Sequence, residues 1–311
     1  MKTRVHMVIY LLVAAVTSCI MEDDSNCPKG KFLHFKTVNP KYRFEEVVES
    51  VDLYVYRQDG SLTGKYHYSK ESLEASGFEA YLPQQPVGDY TVVALVNRNE
   101  ANYNVSQDSN MKGMSTNIIT VPNDTVNVRP ADLYHACKPI SFVTSSQQKD
   151  TMFLVKNTNN VTVTLEFAGW GKDAPPPSDV KYGVFLTGSN GTYNYENRPS
   201  GNTRITYMPY KQEESSVVCE YRMTTMRLWR NSDLMVYVVE KRPGKPPVKR
   251  IGLVLTDELA KIIDSNGIKR YDTDEKLALE DEFYLKFMFD GPLLVGFELN
   301  GWFLIKPDVS L

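Results

Sequence analysis

Cys19 is the residue whose type and position suggest the clearest chemistry. The chain begins with Lys2 and Arg4, continues with ten apolar residues over 7–16, and reaches small residues immediately before Cys19. This order is typical of a signal peptide, and ten apolar residues are too few to cross a membrane, which takes about 20. A cysteine at this point resembles the site at which bacterial lipoproteins are cleaved and acylated. We therefore predict that residues 1–18 are removed and that a lipid on Cys19 holds the mature chain on a membrane.

Three acidic residues, Glu22, Asp23 and Asp24, follow the predicted lipid closely. An anionic head-group surface would repel them, so membrane attraction is not their role. They are either a solvated spacer or a sorting signal, and the second interpretation rests on their resemblance to the acidic motif that sends Bacteroides lipoproteins to the outer face of the outer membrane. In both cases residues 19–30 form the lipidated tether.

Three further cysteines, Cys27, Cys137 and Cys219, remain if Cys19 is acylated. They allow three pairings, each of which leaves one thiol over. We expect a disulfide between Cys27 and Cys137, because it would fix the end of the tether to the first domain, and three free thiols are the alternative. The chain has no CxxC pair and no Cys/His cluster, so we predict no metal site.

The chain lacks the common catalytic patterns. The histidines of the mature chain, His34, His67 and His135, accompany no GxSxG nucleophile elbow, and GxxxxGK[ST] and HExxH are also absent. We expect each histidine at the surface or at a sheet edge, and we predict no enzymatic activity, no catalytic residue and no cofactor. Lys plus Arg number 35 against 38 Asp plus Glu, with no long basic stretch, which argues against a nucleic-acid partner.

The secondary structure of the first half of the chain is predicted to consist mainly of strands. The hydrophobic fraction is 42% and the charged fraction 23%, as in globular proteins, and the 19 Tyr and 13 Phe favour strands over helices. Residues 51–56 alternate between apolar and polar before a turn at 59–60, and a long apolar strand follows Gly88. A short capped helical turn is predicted over 69–77. The polar stretch 98–117 is predicted to be a surface loop.

The second half repeats this organisation. Strands are predicted over much of 151–305, including a single closing strand over 293–305, and one helix is predicted to begin at Thr256 as its N-cap. A length of 311 residues suggests two domains. The fold class is therefore predicted to be all-β, with two tandem Greek-key β-sandwiches over 31–150 and 151–311 and one or two short helices.

Taken in order, several segments resemble one known family, the FimB-type fimbrial anchor lipoproteins of the Bacteroides and Porphyromonas group, which belong to type V pili. The resemblance covers nearly the whole chain. It rests on Cys19 with Asn26-Cys27-Pro28 soon after, the strand 51–56 with Asp59-Gly60, and the segments 88–94, 132–136, 157–165 and 299–302.

The resemblance implies two transthyretin-like sandwiches and a role at the base of a pilus. The chain would then be a surface-exposed outer-membrane lipoprotein that joins a fimbrial shaft subunit to the cell, by β-strand complementation at an exposed edge of the second domain. The tail 306–311 is too short to donate a long strand, and Trp302 is expected in or near the core. The alternative is a glycan-binding surface lipoprotein in which Trp170, Trp229 or Trp302 stacks on sugar rings.

Overall fold

The computed structural model describes residues 30–106, 108–143, 148–168, 179–215 and 217–305. The predicted signal peptide, Cys19, the acids Glu22, Asp23 and Asp24, and Cys27 lie outside the described residues. Trp170 and the tail 306–311 also lie outside them.

The described residues form 21 strands and four short α-helices, which confirms the all-β prediction. The first strands are β1 Gly30–Thr37, β2 Ser50–Arg57, β3 Leu62–Ser69, β4 Glu79–Pro83, β5 Gly88–Val96, β6 Tyr103–Ser106, β7 Ser115–Ile118, β8 Thr125–Val126, β9 Tyr134–Phe142 and β10 Gln148–Lys156. The remaining strands are β11 Thr158–Ala168, β12 Lys181–Gly188, β13 Thr192–Asn194, β14 Ile205–Tyr207, β15 Lys211–Glu214, β16 Val218–Met226, β17 Met235–Lys241, β18 Val248–Val254, β19 Glu282–Asp290, β20 Leu293–Leu299 and β21 Trp302–Ile305.

The helices are α1 Phe44–Val47, α2 Lys70–Ala75, α3 Leu255–Leu259 and α4 Asp274–Leu277, with a 3-10 turn at Met111–Gly113. Four α-helices exceed the one or two predicted. Helices of one turn are marginal in isolation and form where tertiary packing holds them, so a sequence pattern predicts them poorly. Thr256 is not the N-cap of α3, which begins one residue earlier, and its hydroxyl donates instead to the carbonyl of Ser232.

The first sandwich consists of seven strands in the order β3-β2-β5-β9-β10-β1-β4. β10 runs parallel to β1 along most of its length and pairs with β9 only at Val155 and Lys156, so it passes from one layer to the other. Leu33 and Phe35 of β1 pack in one buried cluster with Leu53 of β2 and Val92 of β5. The alternation seen in the sequence of β2 therefore reflects one face against this core.

The second sandwich stacks a six-stranded sheet, β15-β16-β11-β19-β20-β21, on a five-stranded sheet, β18-β17-β12-β14-β8. Apolar side chains of β11 and β19, such as Val163 and Phe287, fill the space between the sheets together with Val184 and Val236 of β12 and β17. Burial of these side chains is the main source of stability in this half of the chain.

The prediction of a surface loop over 98–117 is wrong. Within this stretch β6 and β7 pair with each other, and β7 also pairs with β13 from the second half of the chain. Met114 packs against Tyr54 and Leu95 on the second face of the β2–β5 sheet. Beyond this stretch, β8 pairs in parallel with β14. The strands β6, β7 and β8 therefore belong to sheets that also contain strands from the second half of the chain.

A division of the chain at residue 150 stays a prediction, and the strand that crosses it, β10, is hydrogen-bonded to β1 and β9. At its end Lys156 Nζ lies 2.6 Å from Asp281 and 3.1 Å from Asp132. The Tyr42 hydroxyl donates to the same Asp281 carboxylate at 2.5 Å, and Lys41 Nζ lies 3.6 Å from it. These residues form a junction between the two sandwiches, and its centre is buried, since only 4% of the Lys156 and Asp281 side chains is exposed.

Candidate functional site

The histidines do not form a reactive cluster. The His67 ring nitrogen Nδ1 lies 2.7 Å from Asp52 at the surface, while His135 is buried, contrary to the prediction of a surface or edge position. Its burial lowers the pKa of the imidazole to about 3, with the nearby charge of Arg227 acting in the same direction. Across the described ranges no group of three or more His, Cys, Asp or Glu side chains could hold a metal ion.

Of the remaining predicted residues, Cys137 and Trp229 line one cavity together with His135, whereas Cys219 and Trp302 do not belong to it. Cys137 is exposed on β9 and Cys219 is half-buried on β16, and the two are not bonded to each other. The pairing of Cys137 with Cys27 stays a prediction because Cys27 lies outside the described residues. Trp229 is buried, and Trp302 is half-buried and packs at the margin of the second core. None of the helices in the described ranges is both long and apolar enough to span a membrane.

The second sandwich has strands at its sheet ends whose outer side carries no neighbouring strand among the described residues. These are β15 and β21 in the six-stranded sheet and β18 and β8 in the five-stranded sheet. A strand in this position presents backbone N–H and C=O groups that can pair with another chain. Proteins usually protect such edges with charges, proline or bulges, so an unprotected edge is a candidate binding surface.

β15 and β18 carry this kind of protection. All four residues of β15 are exposed, and three of them are charged. β18 follows Pro246 and Pro247, includes Lys249 and Arg250, and pairs with β17 through a bulge. The Arg250 Nη2 atom lies 2.6 Å from the buried Glu240 carboxylate.

Burial alone would raise the pKa of Glu240, but hydrogen bonds from Arg242 and Arg250 lower it below its usual range. Glu240 is therefore ionised at neutral pH and holds the side chain of Arg250 against the sheet. The charge of Arg250 is thus held in place at this edge rather than free to move aside for another strand.

β21 carries neither charge nor proline, although its pairing with β20 has a bulge, as that of β18 with β17 has. It consists of four apolar residues, Trp302-Phe303-Leu304-Ile305, and ends the six-stranded sheet beside β20. Trp302 and Leu304 point toward the core, whereas 49% of Phe303 and 44% of Ile305 is exposed. Leu293 on β20 is 67% exposed. An apolar edge with exposed side chains of this size is a candidate site for pairing with a strand of another protein.

The prediction of one closing strand over 293–305 is wrong because a turn divides it into β20 and β21. Asn300 and Gly301 both have positive φ, at 48° and 82°, as a two-residue type I′ hairpin turn requires. The Asn-Gly pair is the signal that would have identified this hairpin from the sequence.

Comparison with known proteins identifies related chains. A family model described as fimbrillin-A associated anchor proteins Mfa1 and Mfa2 matches residues 23–306. No curated protein matches the chain in the corresponding search.

Several solved structures share the fold. The fimbrial anchor protein Mfa2 from Porphyromonas gingivalis superposes with a TM-score of 0.70 at 18% identity, covering 90% of this chain and 100% of that one. A provisionally assigned adhesin from Bacteroides thetaiotaomicron gives a TM-score of 0.74 at 21% identity and covers 91% and 99%. A provisionally assigned polysaccharide-binding protein from the same organism gives 0.74 at 20% identity and covers 90% and 98%. At these identities the likeness concerns the fold.

Proposed function

The chain belongs to the family of fimbrillin-A associated anchor proteins, and from this premise we propose that it is the anchor and assembly subunit of a fimbria. In this proposal a lipid on Cys19 tethers the chain to the outer membrane, the acids Glu22, Asp23 and Asp24 direct it to the cell surface, and the second sandwich joins the fimbrial shaft subunit. Family membership and the sequence pattern before Cys19 support the proposal.

We further propose that the shaft subunit binds by β-strand complementation at β21. The observation that carries this step is the contrast between the edges of the second sandwich, since β15 and β18 are protected by charge and β21 is apolar. A donated strand would extend the six-stranded sheet through main-chain hydrogen bonds, while its alternate side chains contact Phe303 and Ile305.

Two matched variants test this site. Phe303→Lys places a charge on the outer face of β21, and Val248→Lys does the same on β18, where the native side chain is 47% exposed against 49% for Phe303. Both replaced side chains are exposed, so both variants should keep the thermal stability of the native protein. In cells that lack the native gene, Phe303→Lys should release shaft subunits into the medium and Val248→Lys should retain them on the cell.

Shaft retention is measured by quantifying the shaft subunit in cell and medium fractions and by electron microscopy of the cells. Full retention by Phe303→Lys, present on the surface at the native level, would refute the assignment to β21. Loss of retention by Val248→Lys alone would place the joint at β18 instead.

The tether is tested separately. Cys19→Ala should abolish incorporation of labelled fatty acid and detach the shaft together with the anchor, whereas membrane retention of an acyl-labelled variant would contradict lipidation at Cys19. Replacement of Glu22, Asp23 and Asp24 by Ala should preserve acylation but protect the protein from protease added to intact cells. Unchanged digestion would show that these acids are only a spacer.

A second candidate function is binding of a surface glycan. A cavity of about 370 Å³ on the outer face of the six-stranded sheet is lined by Arg129, Tyr210, Arg222 and Tyr284. Tyr284 is 54% exposed there, and the Arg129 guanidinium lies 6.0 Å from the Tyr210 ring centroid. An exposed tyrosine beside hydrogen-bonding side chains suits a sugar. Glycan binding that is lost in Tyr284→Ala, with shaft retention unchanged, would support this candidate.

A further inference from the structure

Strand β1 is the first described element after the predicted tether, so a pull on the tether reaches the fold at Gly30, where β1 begins. β1 lies between β10 and β4. Its pairing with β10 is parallel and continues without a shift of register from Lys31, opposite Gln148, to Thr37, opposite Leu154. The hydrogen bonds of this pairing therefore connect the tether to the rest of the first sandwich.

The second sandwich is attached at the other end of these strands. β10 ends at Lys156, which is joined to Asp281 and precedes β11. Lys156 lies opposite Tyr134, where β9 begins, and Tyr134 lies opposite Val96, where β5 ends. Between β5 and β9 the chain forms β7 and β8, which pair with strands of the second half. Because β1 is parallel to β10, its first residue lies at the far end, eight residues of about 3.3 Å away.

A pull between the tether and the second sandwich therefore loads the two parallel strands at opposite ends. β1 is loaded at its N-terminal end, at Gly30, and β10 at its C-terminal end, at Lys156. This direction is shear, in which β1 leaves by sliding along β10 and all hydrogen bonds between the two strands are stretched together. The hydrogen bonds of a parallel pair are evenly spaced, so they share the load. A pull on two ends that lie side by side would instead break them one after another.

An ion pair opposes this sliding. Lys31 is the second residue of β1, and 6% of its side chain is exposed. Its Nζ atom lies 2.9 Å from the Asp150 carboxylate of β10, which lies 2.7 Å from Lys138 Nζ of β9. Asp150 is the register partner of Leu33, so the Lys31 side chain reaches along β10 toward the second sandwich. A shift of β1 toward the tether lengthens the Lys31–Asp150 pair.

Charge and apolar burial both keep β1 in place. Burial alone would raise the pKa of Asp150, but hydrogen bonds from Lys138 and Lys31 lower it below its usual range, so the carboxylate is ionised at neutral pH. On the opposite face of β1, Leu33 and Phe35 are 0% and 1% exposed. Sliding of β1 would bring these two side chains out of the core, which adds to the resistance.

We propose that the parallel pairing of β1 with β10 is a mechanical clamp, through which the protein bears tension between its tether and its second sandwich. The direction of the pull rests on the proposed function, whereas the resistance of the clamp is a property of the fold. The clamp carries the load while Cys27 and Cys137 are not bonded to each other, since a disulfide between them would pass the pull to β9.

Single-molecule force measurements on the mature protein test the clamp by pulling in two directions. In both, one handle is attached to an azide-bearing amino acid in place of Lys29, directly before β1. The second handle replaces Lys245, in the exposed turn between β17 and β18, for shear, or Lys149, which is 68% exposed near the start of β10, for peeling. The chain leads from residue 245 back to the C-terminal end of β10, so the direction stays shear even if the second sandwich unfolds first. A reducing agent keeps the cysteines unbonded.

The force that releases β1 should be at least about twofold higher in shear than in peeling at the same loading rate, although the same hydrogen bonds break. A glycine-serine insertion at the exposed turn of Gly77 identifies this event, because it lengthens only the step in which the first sandwich unfolds. Equal forces in the two directions would overturn the proposal. This measurement needs no fimbria, whereas failure of the proposed function would appear as unchanged shaft retention in the cell experiments.

A matched pair of variants tests the ion pair. Lys31→Met keeps the apolar stem and should lower the shear force by about one quarter or more. Lys65→Met removes an exposed lysine that pairs with Asp108 at 2.5 Å from β3, at the far edge of the sheet, and should leave the force unchanged. Equal effects of the two variants would refute the role of Lys31. If Lys31→Met fails to fold, the comparison of the two pulling directions in the native chain still decides the proposal.

Discussion

Asp281→Asn is the change that should reveal most about how the two sandwiches are held together. The native carboxylate lies 2.6 Å from Lys156 Nζ, accepts a hydrogen bond from Tyr42, and lies 3.6 Å from Lys41 Nζ. The asparagine side chain has almost the same shape, so the substitution removes charge without opening a cavity. It leaves Lys156, which has 4% of its side chain exposed, with Asp132, at 3.1 Å, as its only counterion among the described residues.

The expected loss can be worked out from these contacts. Removing one partner of a buried ion pair costs about 3–5 kcal/mol, chiefly because the remaining charge is left uncompensated. Since Asp132 continues to neutralise part of the Lys156 charge, we expect the low end of this range, a loss of about 3 kcal/mol in the free energy of unfolding. The matched control is Glu79→Gln, which breaks the Lys149–Glu79 pair at the surface, where Lys149 is 68% exposed. Such a pair contributes less than about 1 kcal/mol.

The same contacts predict how the difference depends on pH. Burial alone would raise the pKa of Asp281, but the hydrogen bonds from Lys156 and Tyr42 outweigh it and hold the pKa below the usual value of an aspartate. A carboxyl group whose pKa is lower in the folded than in the unfolded state stabilises the folded protein at pH values above its unfolded-state pKa. This stabilisation is lost as the pH falls through the folded-state pKa. The native advantage over Asp281→Asn should therefore be constant from pH 7 to about pH 5 and shrink below about pH 4.

Urea unfolding, followed by tryptophan fluorescence and circular dichroism at several pH values, measures both effects. A free energy of unfolding for Asp281→Asn within about 0.5 kcal/mol of the native value at pH 7 would show that the junction is not held by this ion pair. A deficit that does not change between pH 7 and pH 3 would refute the assignment of the effect to the Asp281 charge.

Three further predictions concern the closing strand, the tail and the cysteines. Trp302→Ala should lower the free energy of unfolding by about 2 kcal/mol, less than a fully buried truncation because the ring is half-buried, whereas Phe303→Ala on the exposed face should cost under about 1 kcal/mol; equal losses in urea unfolding would contradict the packing of Trp302 on the core. Deletion of 306–311 should leave both the unfolding midpoint and shaft retention unchanged, and loss of retention by a stably folded deletion would show that the tail is a donor strand. Thiol titration of the denatured, unreduced mature protein should find one free thiol if Cys27 pairs with Cys137, and three would refute that pairing.

The sequence by itself predicted those parts of the fold in which the pattern is local. The alternation over 51–56 predicted β2, because side chains on one face of a strand repeat every two residues. The apolar run after Gly88 predicted β5, because a short apolar run after a turn is typical of a strand buried on both faces. Ser69 before α2 accepts a hydrogen bond from the Ser72 backbone N–H, as a capped helical turn at this point requires. The lipidation signal at Cys19 is likewise a contiguous pattern, and it stays a prediction.

Only the tertiary structure determined which distant segments meet. The polar stretch 98–117 carries too little alternation to indicate strands, yet β7 forms because β13, which lies more than seventy residues later, supplies its hydrogen-bond partners. The sequence also did not predict that Lys156, His135 and Arg227 are buried. Residues of these types are often exposed, and these three are buried because the two sandwiches meet around them. The position of β21 at the end of its sheet was likewise not predictable from the sequence. Whether a strand lies inside a sheet or at its end depends on pairing between distant segments, which residue periodicity does not encode.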